Sequence, residues 1–267
     1  MDLGLKGRVA VVTGASKGVG KGVARALAAE GVDVVLLARG LDGLRAVARD
    51  IAAQFGVQAL PLACDVTQHD SVRAAAEAVR AHFPTVHIVV NNAGEAIKRQ
   101  DREITWDDAD WLGQVQIKTL GALRVIREFL PLLARDGTGR ILNIAGASGA
   151  MAWMPALTYG LNNAALMHMA GYLAADLGKE GIKVNTIVPG VVLTEWREVW
   201  AQNMAKAEGK TKEQWLSGFC RDKGILAGRL AKVEEIGDMA AFLASDRGAY
   251  VNGAKIALDG GLTVNAR

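Results

Sequence analysis

Short apolar runs alternate along the chain with longer segments in which apolar residues recur every three or four positions. Residues 9–12 and 32–37 are two such runs. Between them, residues 21–30 are rich in alanine and precede Gly31, a pattern typical of a helix that ends at a C-cap glycine. The same reasoning predicts further strands at residues 58–63, 87–90, 140–144, 183–188 and 255–258.

Strands that are apolar throughout are typical of a parallel sheet covered on both faces. Their alternation with helices predicts an α/β fold, a doubly wound (Rossmann-type) parallel sheet flanked by helices. No linker, low-complexity tract or repeat interrupts the pattern, so residues 1–267 are interpreted as a single domain. The long segment at about 194–228 interrupts the regular alternation and is predicted to form a substrate lid.

Composition narrows the function classes. A net charge of +3 with 22% charged residues gives no basic surface of the kind that binds nucleic acid. The two cysteines, Cys64 and Cys220, and the four histidines show no metal-ligand spacing, so no metal is expected. No apolar run approaches the length of a membrane span and no signal peptide is recognisable, so a cytoplasmic protein without membrane contact is expected.

A glycine-rich turn follows the first predicted strand and opens the first helix. Gly14, Gly18 and Gly20 supply residues that tolerate positive φ and close approach to a ligand. The helix N-terminus behind them presents unpaired N–H groups and the positive end of a dipole, which suits a pyrophosphate. An ordinary glycine-rich loop is the alternative, and the position after the first strand of a βαβ unit favours dinucleotide binding.

The turn reads Thr-Gly-x-x-x-Gly-x-Gly, and it is followed in order by Asp65-Val66, by Asn-Asn-Ala-Gly at 91–94, by Pro189-Gly190 with Thr194, and by Asp-Gly-Gly at 259–261. This series resembles the short-chain dehydrogenase/reductase family over nearly the whole chain. The resemblance implies a small-molecule substrate and a homo-oligomer, a tetramer or dimer. It also implies cofactor contacts from Gly14, Ser16, Lys17, Gly18, Val19, Gly20, Asp65, Val66, Asn91, Ala93, Gly94, Tyr159, Pro189, Gly190, Val192 and Thr194.

The end of the second strand bears on the choice between NAD and NADP. An acidic residue there would bind the ribose 2′-hydroxyl, but the chain has Ala38 followed by Arg39. The planar guanidinium of Arg39 suits phosphate oxygens, and Lys17 can add a second positive charge. Both are alternatively surface cations. Charge complementarity favours NADP(H) over NAD(H).

The catalytic residues implied by the resemblance are only partly present. Tyr159 matches the family tyrosine, which exchanges a proton with the substrate oxygen. The lysine expected four residues later is Asn163, the serine expected thirteen residues earlier is Gly146, and Lys118 stands at the asparagine position. Because a free phenol has a pKa of about 10, it needs a nearby cation to act as a base at neutral pH. Our hypothesis is that Lys118 supplies this cation and that Asn163 contacts the ribose or a bridging water.

The loss of the serine leaves several interpretations. Ser148 or Thr158 is a candidate replacement, although neither lies at the family position. Glycine at 146 is alternatively a device that widens the pocket for a larger substrate. Alternatively, Lys118 faces solvent and Asn163 only packs within its helix.

The substrate side is rich in large apolar residues. Met151, Trp153 and Met154 follow Gly146, and Trp196, Trp200, Trp215 and Phe219 lie in the predicted lid. Met151, Trp153, Trp196 and Trp200 are predicted to contact a sizeable apolar or aromatic substrate. Packing of the lid, or of a second subunit, is the alternative. A substrate carboxylate is less favoured, although Arg197 and Lys98 leave it open.

The sequence therefore predicts an NADP(H)-dependent enzyme that interconverts a ketone or aldehyde and an alcohol. An isomerase or dehydratase on the same scaffold and a non-catalytic NADP-binding protein are the alternatives. The apolar face of residues 163–177 and the tail 257–264 fit the expected subunit contacts.

Overall fold

The computed structural model describes residues 2–94, 102–153 and 156–265. Its main sheet has seven parallel strands in the order β3-β2-β1-β4-β5-β6-β9. The nine strands, in chain order, are β1 Val9–Thr13, β2 Asp33–Ala38, β3 Ala59–Ala63, β4 Ile88–Asn91, β5 Arg140–Ile144, β6 Lys183–Pro189, β7 Val192–Leu193, β8 Ala231–Lys232 and β9 Lys255–Leu258. All seven predicted strands are confirmed, and no strand end is shifted by more than one residue.

The described part of the chain contains eight α-helices. They are α1 Gly18–Ala29, α2 Leu41–Phe55, α3 His69–His82, α4 Asp108–Phe129, α5 Leu157–Leu177, α6 Glu195–Ala207, α7 Lys212–Asp222 and α8 Val233–Ala244. Helices α1, α2 and α8 share one apolar core with the sheet, and α3, α4 and α5 share another. The two cores confirm the doubly wound fold, in which β-strands apolar on both sides are covered by helices on both faces.

The strand order reverses between β1 and β4, which pair with each other. In open α/β sheets, ligands bind at this switch point, beyond the carboxyl ends of the strands. The glycine turn leaves β1 there, and the segment beginning at Asn92 leaves β4 beside it. The fold therefore places the predicted cofactor residues at the position where a dinucleotide site is expected.

The segment predicted to form a lid consists mainly of α6 and α7. Strand β7, just before it, pairs in parallel with β8, just after it, in a second sheet of two strands. Sequence analysis did not predict β7 or β8, because two residues are too few to show a period of two. The lid function of residues 194–228 stays a prediction.

No helix among the described residues combines the length and the apolar content needed to cross a bilayer. Within the same residues, no three histidine, cysteine, aspartate or glutamate side chains come together as a metal site. Lys98 and Met154 lie outside the described residues. The oligomeric state stays a prediction.

Candidate active site

The turn between β1 and α1 requires glycine at specific points. Gly14 and Gly18 have φ of 66° and 56°, in the left-handed region where a side chain is strained. At Gly20, an added Cβ would collide with the Gly14 carbonyl and the Asn92 amide. The turn is therefore packed against the Asn92 side chain and the Ala93 backbone just after β4, with no room for a Cβ at Gly14 or Gly20.

Thr13 and Asn92 hold this turn in place. The Thr13 hydroxyl accepts hydrogen bonds from the N–H groups of Asn92 (2.9 Å) and Ala93 (3.0 Å) and donates to the Val90 carbonyl (3.2 Å). The Asn92 amide donates to the carbonyls of Thr13 (3.0 Å) and Gly14 (3.3 Å). Neither side chain is among the predicted site residues, although both lie within the family motifs. They are positioning residues that fix the turn.

The N-terminus of α1 already attracts an anion. It has no side-chain cap and no acidic residue in its first turn. Instead, Gly18 N–H donates to Oε2 of Glu195 at 3.1 Å, and Lys21 Nζ lies 3.5 Å from Oε1. Burial opposes ionisation of this carboxylate, but the N–H groups of Glu195 and Gly18 and the Lys21 ammonium outweigh it, so the pKa of Glu195 falls below its ordinary value. The donor set suits a phosphate equally well.

The other predicted cofactor residues lie around this edge, some with partners of their own. Asp65 accepts hydrogen bonds from the N–H (2.9 Å) and hydroxyl (2.8 Å) of Thr67. Val66 is buried against α4, where a Cβ on Gly121 would lie 2.9 Å from its Cγ2. The Asn91 amide is buried and donates to Asn143 Oδ1 at 2.9 Å, so its side chain points along the sheet rather than toward the turn.

Further residues predicted to contact the cofactor lie at this edge on the β6 side. Pro189 ends β6, and Gly190 follows so close to β9 that an added Cβ would lie 2.8 Å from Asp259 Cα. Thr194 caps α6, and its Cγ2 lies 3.3 Å from where a Cβ on Gly18 would stand. Ser16 and Lys17 lie on the turn, and Val19 lies at the start of α1. Arg39 follows β2, Ala93 and Gly94 follow β4, and Val192 begins β7.

Lys118 and Tyr159 meet across two helices. Lys118 Nζ lies 3.4 Å from Tyr159 Oη and 4.7 Å from the centre of the tyrosine ring. Lys118 is only 6% exposed, and no acidic side chain among the described residues pairs with it. A solvent-facing Lys118 is thereby excluded. The cation faces the phenol that sequence analysis singled out as the acid/base group.

Packing of α4 against α5 sets this distance. A small apolar cluster that includes Ala122 and Leu166 lies between the two helices and the sheet. Thr119 on α4 donates to Asn162 Oδ1 on α5 at 2.6 Å, and Asn162 in turn donates to the Thr158 carbonyl at 2.8 Å. These contacts hold the two helices in register beside the site.

Glu103 fixes the first turn of α5, which carries Tyr159. Its carboxylate is 6% exposed and accepts hydrogen bonds from the N–H of Leu157 (3.0 Å) and from the N–H and hydroxyl of Thr158 (both 2.6 Å). A carboxylate at this end of a helix also complements its dipole. Glu103 was not predicted from the sequence, because it precedes α5 by more than fifty residues and carries no local signal. The same bonds exclude Thr158 as a replacement for the family serine, since its hydroxyl is fully buried and already donates to Glu103.

The surroundings of Asn163 bear on the expectations for this residue and for Gly146. Its side chain has no exposed surface, and Nδ2 donates to Ser148 Oγ at 2.9 Å rather than facing an open ribose position. A Cβ on Gly146 would lie 2.9 Å from the same Nδ2. The amide of Asn163 therefore fills the space above Gly146. The glycine accommodates this amide and does not widen the pocket. Oδ1 of Asn163 has no hydrogen-bond partner among the described residues, and its contact with the ribose or a bridging water stays a prediction.

This contact predicts coupling between positions 146 and 163. We expect Gly146→Ser to lower the free energy of unfolding by about 1–3 kcal/mol, because it overpacks a buried site. In an Asn163→Ala background the same substitution should cost clearly less, since the obstructing amide is gone. Urea unfolding of the four chains measures both costs. Equal costs in the two backgrounds would show that the amide is not the obstacle.

The aromatic residues of α6 and α7 form one stack. Trp200 meets Trp215 and Phe219 edge-on, at centroid distances of 4.8 and 5.4 Å. Trp215 is buried and donates from Nε1 to Glu208 at 2.9 Å. Trp196, 62% exposed, stacks on the outer side of Trp200 at 6.3 Å. Packing between α6 and α7 therefore explains the positions of Trp215 and Phe219 and most of the contacts of Trp200.

Met151 and Trp153 lie beside that stack rather than in it. Both are half-buried and pack against an apolar cluster built around Val191, Cys220 and Leu262. Lys223 Nζ lies 5.3 Å from the centre of the Trp153 ring. This cluster joins the segment after Gly146 to α7 and to the C-terminal residues.

Together, the glycine turn at the switch point and the tyrosine–lysine pair nearby define a dinucleotide-binding α/β enzyme. Comparison with known proteins agrees with this class. A family model described as enoyl-(acyl carrier protein) reductase matches residues 14–263. The chain is 34% identical to a D-threitol dehydrogenase of Mycolicibacterium smegmatis over 264 residues, which are 98% of this chain and 95% of that protein.

Two solved structures are also similar. L-sorbose reductase from Gluconobacter frateurii, in complex with NADPH and L-sorbose, has a TM-score of 0.91 at 33% identity and covers 98% of this chain and 99% of its own. An NADPH-bound short-chain oxidoreductase from Pseudomonas aeruginosa PAO1, described as containing an atypical catalytic center, has a TM-score of 0.86 at 30% identity, with 96% of each chain covered. The chain belongs to the short-chain dehydrogenase/reductase family.

Proposed function

We propose that this protein is an NADP(H)-dependent oxidoreductase in which Tyr159 is the acid/base group and Lys118 is the cation that supports it. The observation that carries the proposal is the distance of 3.4 Å between Lys118 Nζ and Tyr159 Oη in a largely buried setting. A cation next to a phenol stabilises the phenolate, and this effect grows as water is excluded.

Each residue then has a defined task in carbonyl reduction. NADPH, when bound, supplies the hydride that reaches the carbonyl carbon. Tyr159 Oη donates its proton to the carbonyl oxygen, and Lys118 stabilises the phenolate that remains until a proton returns from solvent. Ser148 Oγ accepts from Asn163 and, among the described residues, keeps its own proton available for the substrate oxygen. In alcohol oxidation the proton moves from the substrate to Tyr159.

The cofactor is NADP(H). The residue after β2 is Arg39, which suits a 2′-phosphate, and an acidic side chain is absent at Ala38. The glycine turn fits the pyrophosphate, because α1 lacks a side-chain cap and its first N–H already binds a carboxylate. Similar solved structures are described as NADPH complexes, which supports the same cofactor here.

Glu195 should compete with the cofactor for this turn. We expect Glu195→Gln to lower the Kd for NADPH by about two- to fivefold, the range expected when one exposed charge interaction is removed. Direct titration of NADPH into the protein measures the change without turnover. Glu198→Gln on the same helix, whose carboxylate pairs instead with Lys212 at 2.8 Å, is the matched control. Weaker NADPH binding in Glu195→Gln alone would mean that the carboxylate orders the turn for the cofactor.

Substrate recognition is assigned to the residues around Tyr159. We propose that Met151, Trp153 and the exposed Trp196 contact a sizeable apolar or aromatic substrate. Trp200 supports Trp196 from behind through their stacked rings. The retention of a buried Lys118 beside Tyr159 weighs against a non-catalytic protein, because a buried cation is costly to keep without a function.

A screen of ketones and aldehydes with NADPH tests the proposal. We expect consumption of NADPH with at least one aryl or long-chain ketone, and its loss in Tyr159→Phe. Product formation without net NADPH consumption would instead identify an isomerase or dehydratase. Tight NADPH binding with no conversion of any kind would identify a non-catalytic NADP-binding protein.

A further inference from the structure

We infer that Arg197 binds a carboxylate on the substrate, so that the substrate is an oxo acid with an apolar body. The inference deepens the proposed function and rests on it. The observation behind it is a cation whose position is not explained by ion pairs within the described residues. Arg197 lies in the first turn of α6, half-buried, and makes no ion pair with an acidic side chain in the described part of the chain.

Helix stability does not account for this placement. The N-terminus of a helix is its positive end, so a cation in the first turn is unfavourable. Glu195 and Glu198, in the same turn, have partners elsewhere: Glu195 binds Gly18 and Lys21, and Glu198 binds Lys212. Neither acid neutralises Arg197. Within the described residues, the first turn of α6 therefore combines a guanidinium that has no acidic partner with the positive end of the helix dipole.

Two aromatic rings hold the guanidinium, and its side-chain N–H groups have no acceptor among the residues that the structure describes. Its central carbon lies 5.5 Å from the centre of the Trp196 ring and 5.3 Å from that of Trp200. Stacking on an aromatic face occupies the flat surface of the guanidinium, whereas its N–H groups point outward in the plane. A planar fork of this kind binds a carboxylate through two parallel hydrogen bonds.

The guanidinium belongs to the substrate side of the site. Tyr159 is within electrostatic range of Arg197: burial lowers the pKa of the guanidinium, and the phenol opposes that shift. Residues two apart on a helix project in nearly opposite directions, and Glu195 is the one that reaches the glycine turn. Arg197 thus points away from the phosphate position. A substrate whose carbonyl meets Tyr159 would place a nearby carboxylate within reach of Arg197 and its apolar body against Trp196.

Paired substrates test this inference. The probes are phenyl oxo carboxylates of increasing spacing, from benzoylformate to benzoylpropionate, each with its methyl ester. For at least one pair we expect kcat/KM to favour the acid. Arg197→Gln should reduce this preference by about 10- to 100-fold, as expected for a lost hydrogen bond between charged groups, and Arg197→Lys should restore part of it. Arg221→Gln, an exposed arginine on α7, is the matched control and should leave the preference unchanged.

Two further measurements separate the possible failures. Quenching of tryptophan fluorescence by the acids reports binding even without turnover, since two indoles flank Arg197. Binding that depends on Arg197, with no turnover, would support the carboxylate site and overturn the proposed reductase. Turnover of acid and ester at equal rates, lowered equally in Arg197→Gln, would overturn the carboxylate site and leave the reductase standing. Weaker NADPH binding in Arg197→Gln, with an unchanged preference for the acid, would assign Arg197 to the cofactor and also overturn it.

Discussion

Replacement of Lys118 by methionine is expected to lower kcat/KM for carbonyl reduction by about 10²- to 10⁴-fold, the range that acid/base catalysis contributes. Methionine keeps the volume of a buried side chain but removes the charge that faces Tyr159 Oη at 3.4 Å. Alcohol oxidation, which requires the phenolate, should slow as well, because the cation that favours the phenolate is absent. Steady-state kinetics from about pH 6 to 9 measure both effects.

The matched control for this substitution is Lys179→Met, which removes an exposed lysine just after α5 and should leave kcat/KM unchanged. If Lys118 acts only through Tyr159, Lys118→Met combined with Tyr159→Phe should be no slower than Tyr159→Phe alone. A Lys118→Met enzyme with the full rate across this pH range would refute the assigned role. Additive losses in the double variant would show that Lys118 acts on the reaction independently of the phenol.

Glu103→Ala should lower the free energy of unfolding by about 2–4 kcal/mol, since it leaves three donors, two of them buried, without an acceptor. For a chain of this size, the loss corresponds to a fall in Tm of about 5–15 °C. Because these donors lie in the first turn of α5, next to Tyr159, kcat should fall as well. Thermal and urea unfolding measure the first effect, and steady-state kinetics measure the second.

Glu213→Ala is the control for Glu103→Ala, because Glu213 is an exposed glutamate in the first turn of α7. It should change stability by no more than about 0.5 kcal/mol, as is usual for surface substitutions. If both variants have the same urea midpoint of unfolding, the carboxylate of Glu103 does not stabilise the start of α5. Full stability with reduced kcat would leave it a role in the site alone.

Much of the fold could be predicted because its signals are local. Apolar runs bounded by glycine locate each of the seven main strands. The helical period between them indicates helical crossovers, which are typical of a parallel sheet. The glycine turn locates the dinucleotide edge in the same way. Strands β7 and β8 escaped prediction because each has two residues and pairs with a partner almost forty residues away. Long-range pairing leaves no periodic trace in such a short segment.

The site was predictable where its residues lie at fixed steps along a helix. Tyr159 and Asn163 lie four residues apart on α5, and Lys118 has its own fixed position on α4, so all three could be identified by counting against the family pattern. Their contacts could not be counted in this way. That Asn163 faces Gly146, and that Glu103 reaches the start of α5, depends on how separate elements pack in three dimensions. Side-chain direction across such contacts is a property of the assembled core.

The tyrosine and its cation stand on different helices, and this separates the present site from one built on a single helix. Two residues four apart on one helix keep their spacing for as long as that helix is intact. Here, Lys118 and Tyr159 are 41 residues apart, and their spacing depends on the seam between α4 and α5. Heat, pressure or a protein bound to the outer faces of these helices can shift that seam without unfolding either helix. The reaction rate therefore depends on tertiary packing. On warming, we expect activity to be lost at a lower temperature than the helical circular dichroism signal.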